Sequence, residues 1–163
     1  MTMPHTVDVT TPGDREVRVT RVFDAPRDLV YEAHTNPDLV RRWMLGPPGW
    51  TMPVCEIDLR VGGRYHYVWR EENGEGQFGT GGEFREIDAP GRIVHTERPD
   101  WAEDGEALCT LTLTEADGRT MLVQTMLFSS AEVRDQVLAT GMTDGMAQSY
   151  DRLERMLAAP KAA

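Results

Sequence analysis

Along the chain, apolar residues first recur at every second position. Arg15 to Phe23 sets Val17, Val19 and Phe23 among charged and polar neighbours, which predicts a half-buried strand. Asp24-Ala25-Pro26 then predicts a helix start, with Asp24 as the cap and Pro26 in the first turn. Leu29, Val30 and Ala33 give that short helix one apolar side. Asn36-Pro37-Asp38 repeats the signal, and Leu39, Val40 and Trp43 make a second short helix. Gly46-Pro47-Pro48-Gly49 ends it, because neither residue type continues a helix.

From Met52 the pattern turns to strands. Val54 to Leu59 predicts one, and Gly62-Gly63 marks a turn. Arg64 to Arg70 predicts the next, with Tyr65, Tyr67 and Trp69 on one face and Arg64, His66 and Arg70 on the other. Asn73-Gly74 is a preferred dipeptide of tight hairpin turns. Further strands are predicted from about Gln77 to Ile87 and from Arg92 to Glu97, joined by Ala89-Pro90-Gly91. Cys109, Leu111 and Leu113 alternate with Leu108, Thr110, Thr112 and Thr114. Asp117-Gly118 then turns the chain into Thr120 to Phe128, the clearest hairpin in the sequence.

After Ser129-Ser130 the period changes. Val137, Leu138, Met142, Met146, Tyr150, Leu153 and Leu157 recur at three- and four-residue steps, which predicts a long amphipathic helix. Gly141 and Gly145 lie inside this run, and each costs a helix roughly 1 kcal/mol relative to Ala. Two glycines there point to close approach of another backbone or to space left beside the helix.

The order is therefore one strand, two short helices, about six consecutive strands and one long helix. Short turns between consecutive strands specify an antiparallel meander. The expected fold class is α+β: a curved sheet of six to seven antiparallel strands wrapped around the C-terminal helix. Residues 15–158 form the expected single domain, between an unstructured lead-in over 1–14 and a short tail over 159–163.

Charge narrows the function. Lys and Arg number 17 against 27 Asp and Glu, giving a net charge of −10. A surface this acidic repels phosphate backbones and anionic lipid heads, which argues against nucleic-acid partners. No apolar run approaches the ~20 residues needed to cross a bilayer, so no membrane insertion is expected. Met1 to Asp14 has neither the basic nor the apolar stretch of a signal peptide, and a cytoplasmic location is expected. Cys55 and Cys109 form no C-x-x-C and read as two small buried side chains.

The ordered segments resemble one family. They are Val22-Phe23-Asp24-Ala25-Pro26, Thr35-Asn36-Pro37-Asp38-Leu39 running into Trp43, and Asp58-Leu59-Arg60-Val61-Gly62-Gly63 with the aromatics that follow. Gly82-Glu83-Phe84 to Pro90, and Gly141-Met142 through Tyr150-Asp151-Arg152-Leu153, complete the set. Together they resemble the bacterial activator-of-heat-shock-protein-90-ATPase-homologue-like families of the START/Bet v1-like (SRPBCC) superfamily. The resemblance implies a helix-grip fold enclosing a hydrophobic cavity. Superfamily members bind lipids, hormones or polyketides there, and some are cyclases or hydrolases. Eukaryotic relatives act on a chaperone through an additional domain, for which 163 residues leave no room, so a chaperone partner is not expected.

Sharp catalytic motifs are absent. Gly74-Glu75-Gly76-Gln77-Phe78-Gly79 spells G-x-G-x-x-G but leads into a strand, where no helix N-terminus could meet a pyrophosphate. Glu56 and Asp58 share one strand face, and the solvated face is the expectation. His5, His34, His66 and His95 show no metal-ligand spacing, so neither a metal nor another cofactor is expected. Tyr65, Tyr67 and Trp69 either pack against the terminal helix or line a cavity. In the cavity reading Phe84, Leu122, Gln124 and Met126 join them from later strands, and Met142, Met146 and Tyr150 close the space from the helix. Tyr67, His95, Gln124 and Tyr150 would orient the ligand. Trp43 and Trp50 would flank an entrance or form a satellite core. The expected partner is a small apolar or amphipathic molecule, bound without catalysis, and the sequence leaves a homodimer open. A cavity cyclase or hydrolase using His95 or a tyrosine, and an interaction module for a chaperone or regulator, are the alternatives.

Overall fold

The computed structural model describes residues 6–102 and 106–158. Eight strands make one antiparallel sheet: β1 (Asp8–Thr10), β2 (Glu16–Phe23), β3 (Trp50–Ile57), β4 (Arg64–Glu71), β5 (Gln77–Asp88), β6 (Arg92–Pro99), β7 (Ala107–Ala116) and β8 (Arg119–Leu127). Their order across the sheet is β1-β2-β8-β7-β6-β5-β4-β3. Helices α1 (Arg27–Thr35) and α2 (Pro37–Trp43) precede β3, and α3 (Ala131–Ala139) and α4 (Met142–Ala158) end the chain. This is the helix-grip arrangement, with four helices against the curved sheet.

Four expectations are corrected. The sheet has eight strands, because the lead-in contributes β1, whose Val9 pairs with Val19. Residues 1–5 and 159–163 of the two expected tails lie outside the described residues. Asp24 does not cap α1; Pro26 occupies that position, and Asp24 meets Arg119 at 3.0 Å. Strand β3 runs from Trp50 to Ile57, so Leu59 falls beyond its end and is exposed instead of joining the core. Finally, the terminal helix is broken. Gly141 has φ +80°, a left-handed conformation that side chains with a Cβ rarely adopt, and it separates α3 from α4.

The alternation along the strands sorts residues as predicted elsewhere. Val17, Val19, Phe23, Cys109, Leu111, Leu113, Leu122 and Met126 are buried on the concave side. Asp117 and Gly118 both take positive φ at the β7–β8 turn, as a two-residue hairpin requires. Asn36 caps α2 by accepting from the Asp38 amide at 3.0 Å.

Helix α4 is clamped at two places. Arg21, buried on β2, donates to Asp151 and to Glu154, both at 2.8 Å. On its other side, Arg152 donates to the carbonyls of Trp43 at 2.8 Å and Gly46 at 3.0 Å, and the Gly46 amide donates to Ser149 Oγ at 2.8 Å. A Cβ on Gly145 would sit in contact with Pro47, so this glycine marks the close approach of that loop. The close backbone approaches of α4 are to α2, α1 and β2, whereas those of α3 are to α4. Strands β4, β5 and β6 have no comparable approach to either helix.

Candidate ligand-binding site

Registers place the inward-facing residues of β4 to β8 side by side. Tyr65 and Tyr67 stand two apart on β4, with ring centroids 5.1 Å apart, and Trp69 continues the row at 5.9 Å from Tyr67. Phe84 on β5 pairs with His95 on β6, and His95 pairs with Cys109 on β7. Cys109 pairs with Met126, and Leu111 with Gln124, on β8. Two residues beyond His95 on the same face lies Glu97, opposite Ala107. Its carboxylate accepts from the Cys109 thiol at 3.7 Å.

These side chains differ sharply in how far they are sealed. Trp43, Phe84, Leu122 and Met126 belong to the packed core. Trp43 stacks on Tyr150 at 5.9 Å, meets His34 edge-on at 4.8 Å and donates from its indole to the Ala33 carbonyl at 2.8 Å. It forms core and no entrance. Trp50 is half-buried and contacts Phe78 at 5.4 Å, which itself stacks on Trp69 at 4.9 Å. Tyr67, Trp69, His95, Gln124, Met142 and Met146 are half-buried. Tyr65 and Tyr150 are buried.

Tyr65 donates a 2.6 Å hydrogen bond to the Thr96 carbonyl. Its oxygen is then free to accept from His95 Nδ1 at 3.1 Å, and the same ring nitrogen lies 3.2 Å from the Thr96 carbonyl. A carbonyl only accepts, so this network assigns the proton to Nδ1 and leaves a lone pair on His95 Nε2. His34 repeats the arrangement on α1. Its Nδ1 lies 2.8 Å from the Val30 carbonyl, which leaves the lone pair on its Nε2.

Several polar ends on this side have no protein partner among the described residues: Nε2 of His34 and His95, the hydroxyls of Tyr67 and Tyr150, and the Gln124 amide. Buried polar groups are normally hydrogen-bonded, so whether these ends are sealed decides what they mean. Of the described residues, only Arg21 Nε is both fully sealed and unpartnered. The five ends are therefore within reach of a water-sized molecule. Yet burial raises the pKa of Tyr67 and of Tyr150, lowers that of His95, and holds that of His34 down at about 4.

Neither cysteine is an activated nucleophile. Both are free and buried. Burial, followed by the neighbouring Glu97, pushes the Cys109 thiol well above its usual range. The Cys55 thiol is raised by burial as well.

On the convex side lies a separate trough of about 310 Å³, running over Gly81 and Gly82 between Arg64, His66 and Arg98. A Cβ on Gly82 would collide with the Thr96 carbonyl, so the strand itself is pinched there. The trough's charges answer one another: His66 meets Asp100 at 2.7 Å, and Arg85 meets Glu83 at 3.3 Å and Glu106 at 3.9 Å. Glu56 and Asp58 are solvated, as their face predicts, and Asp58 pairs with Arg60 at 2.9 Å. Among the described residues, no group of His, Cys, Asp and Glu is arranged to hold a metal, and no helix is long and apolar enough to cross a membrane.

Periodicity alone reached His95, and one more strand step would have reached Glu97. His34 carried no such signal, since a lone histidine on a short helix is ordinary.

Solved structures share this architecture. A Rhodobacter sphaeroides protein is 29% identical and superposes with a TM-score of 0.88 over 95% of this chain and 99% of its own. Protein Ms6760 of Mycobacterium smegmatis is 25% identical, with a TM-score of 0.84 over 98% and 100%. An AHSA1-like protein from Aeromonas hydrophila shares the fold at 19% identity and a TM-score of 0.70, over 90% and 99%. No curated protein matches the sequence. The family model for activator of Hsp90 ATPase homolog 1-like proteins matches residues 24–158, and the chain belongs to that family.

Proposed function

We propose that this protein binds a small apolar or amphipathic molecule between β4–β6 and the helices α3 and α4. The observation that carries the reading is that Tyr67, Trp69, His95, Gln124, Met142 and Met146 are only half-buried on the concave side, with polar ends at Tyr67, His95 and Gln124 that meet no protein partner among the described residues. Leaving a buried polar group unmade costs about 1–3 kcal/mol. Tyr67 on β4, His95 on β6 and Gln124 on β8 face the same side of the sheet, where water or a ligand can satisfy them. Tyr67, Gln124 and Tyr150 supply hydroxyl and amide contacts, His95 supplies an acceptor, and Trp69, Met142 and Met146 supply adaptable apolar surface. Binding is favoured over catalysis. The Tyr65 hydroxyl is committed to a carbonyl, and the Cys109 thiol is held protonated.

Titration with the neutral fluorophore N-phenyl-1-naphthylamine, read by fluorescence and by native mass spectrometry, tests this. Saturable binding of one equivalent is expected, undisturbed by His66→Ala in the outer trough. Binding that is absent, non-saturating or abolished by His66→Ala would overturn the reading.

A further inference from the structure

The inner wall carries an electrostatic imbalance that selects among apolar ligands. Glu97 faces the space from β6 and, among the described residues, has no cationic partner; its contact is the neutral Cys109 thiol at 3.7 Å. Arg21, among the described residues the one buried cation, is already bound by Asp151 and Glu154. Both histidines facing the site are depressed by burial and stay neutral at pH 7. Their free nitrogens, His34 Nε2 and His95 Nε2, present lone pairs. Glu97 lies two residues beyond His95 on the same face of β6 and touches Cys109, so its carboxylate sits on the same wall. Around His95 the polar groups facing the space are thus a histidine lone pair and, among the described residues, a carboxylate without a cationic partner.

The neighbouring surfaces agree. The rings of Tyr67 and Trp69 have no guanidinium over them, whereas the one described cation–π contact joins Arg21 to Phe23. Phe78 stacks on one face of Trp69 and Tyr65 tilts against Tyr67, so a ligand cation would meet only the face of each ring that these neighbours leave. The net charge of −10 raises the concentration of cations around the whole molecule.

We propose that the ligand is a protonated amine on an apolar or aromatic body, its ammonium facing Glu97 and His95 Nε2 and its body lying along Tyr67 and Trp69. The inference rests on the cavity reading above. A carboxylate ligand would meet Glu97 with like charge, and an alcohol would leave the carboxylate without a counter-charge.

Three probes of one shape separate these cases: 4-phenylbutylamine, 4-phenylbutanol and 4-phenylbutyrate, each competing with N-phenyl-1-naphthylamine at fixed ionic strength. The amine is expected to displace the fluorophore about tenfold or more below the alcohol concentration, with the acid weakest. Glu97→Gln should bring amine and alcohol within about threefold of each other. Glu106→Gln makes the same change in net charge on an exposed residue and should leave the preference intact. If the fluorophore binds but alcohol equals amine, or the acid binds best, the amine inference falls and the cavity reading stands. If the preference survives Glu97→Gln, Glu97 is not the counter-ion and the proposal falls. If neither fluorophore nor probes bind, the cavity reading itself fails. Should Glu97→Gln not fold, the wild-type ratio of amine to alcohol decides.

Discussion

One concave face is packed in two different ways. Over β2 and β8 it is solid: Val17, Val19, Phe23 and Leu122 have no exposed surface, and α1 and α4 press on them. Over β4 to β6 the same side of the same sheet carries the half-buried Tyr67, Trp69 and His95, and Glu97, whose contact among the described residues is the Cys109 thiol. The two halves are joined without a break by β7. The proposed site needs no special element; it needs helices that lean on one half of a sheet and stand off from the other. The clamps hold α4 at two places, Arg21 to β2 and Arg152 to the end of α2 and the loop that follows it.

The largest expected difference is in stability. Phe23→Ala should cost about 3–5 kcal/mol in chemical denaturation, because its neighbours include Tyr150 at 5.8 Å and cannot collapse into the void. A loss below about 1 kcal/mol would mean that this half is not solid.

Next in size is a pH effect from His34. In the native state it takes a proton only near pH 4, and unfolded it does so near 6.5. Between these values unfolding takes up a proton, so stability is complete above about pH 6.5 and falls as pH drops toward 4. The full effect is about 3 kcal/mol. Comparing denaturation curves of wild type and His34→Gln across this window isolates it. Parallel pH dependence in the two proteins would rule out a neutral, crowded His34.

The smallest effect compares two rings on one strand. Tyr65→Phe removes a hydroxyl that donates to a buried carbonyl and should cost about 1–2 kcal/mol. Tyr67→Phe removes a hydroxyl without a protein partner and should change stability by less than about 0.5 kcal/mol, while weakening the binding of hydrogen-bonding ligands. Equal costs for both would erase the boundary drawn between core and site.

Alternation and turn chemistry carried most of the fold. The Asp117-Gly118 hairpin, the Asn36 cap and the inward row Tyr65-Tyr67-Trp69 depend on neighbours in sequence, so local preference and burial agree there. The strand at Asp8–Thr10 had no such signal, because it exists through pairing with β2. The break at Gly141 was visible as a glycine but not as a left-handed turn, since a single glycine inside an apolar helical run fits either outcome.

Face and period are properties of a segment, and they are written in the order of residues. Sealing is a property of what lies opposite. Whether Phe84 packs and Tyr67 stays open depends on where α4 is held. Arg21 and Arg152 hold it through contacts more than a hundred residues apart. The pairing of Glu97 with Cys109, and the absence of a cation beside it among the described residues, likewise arise only once separate strands come together.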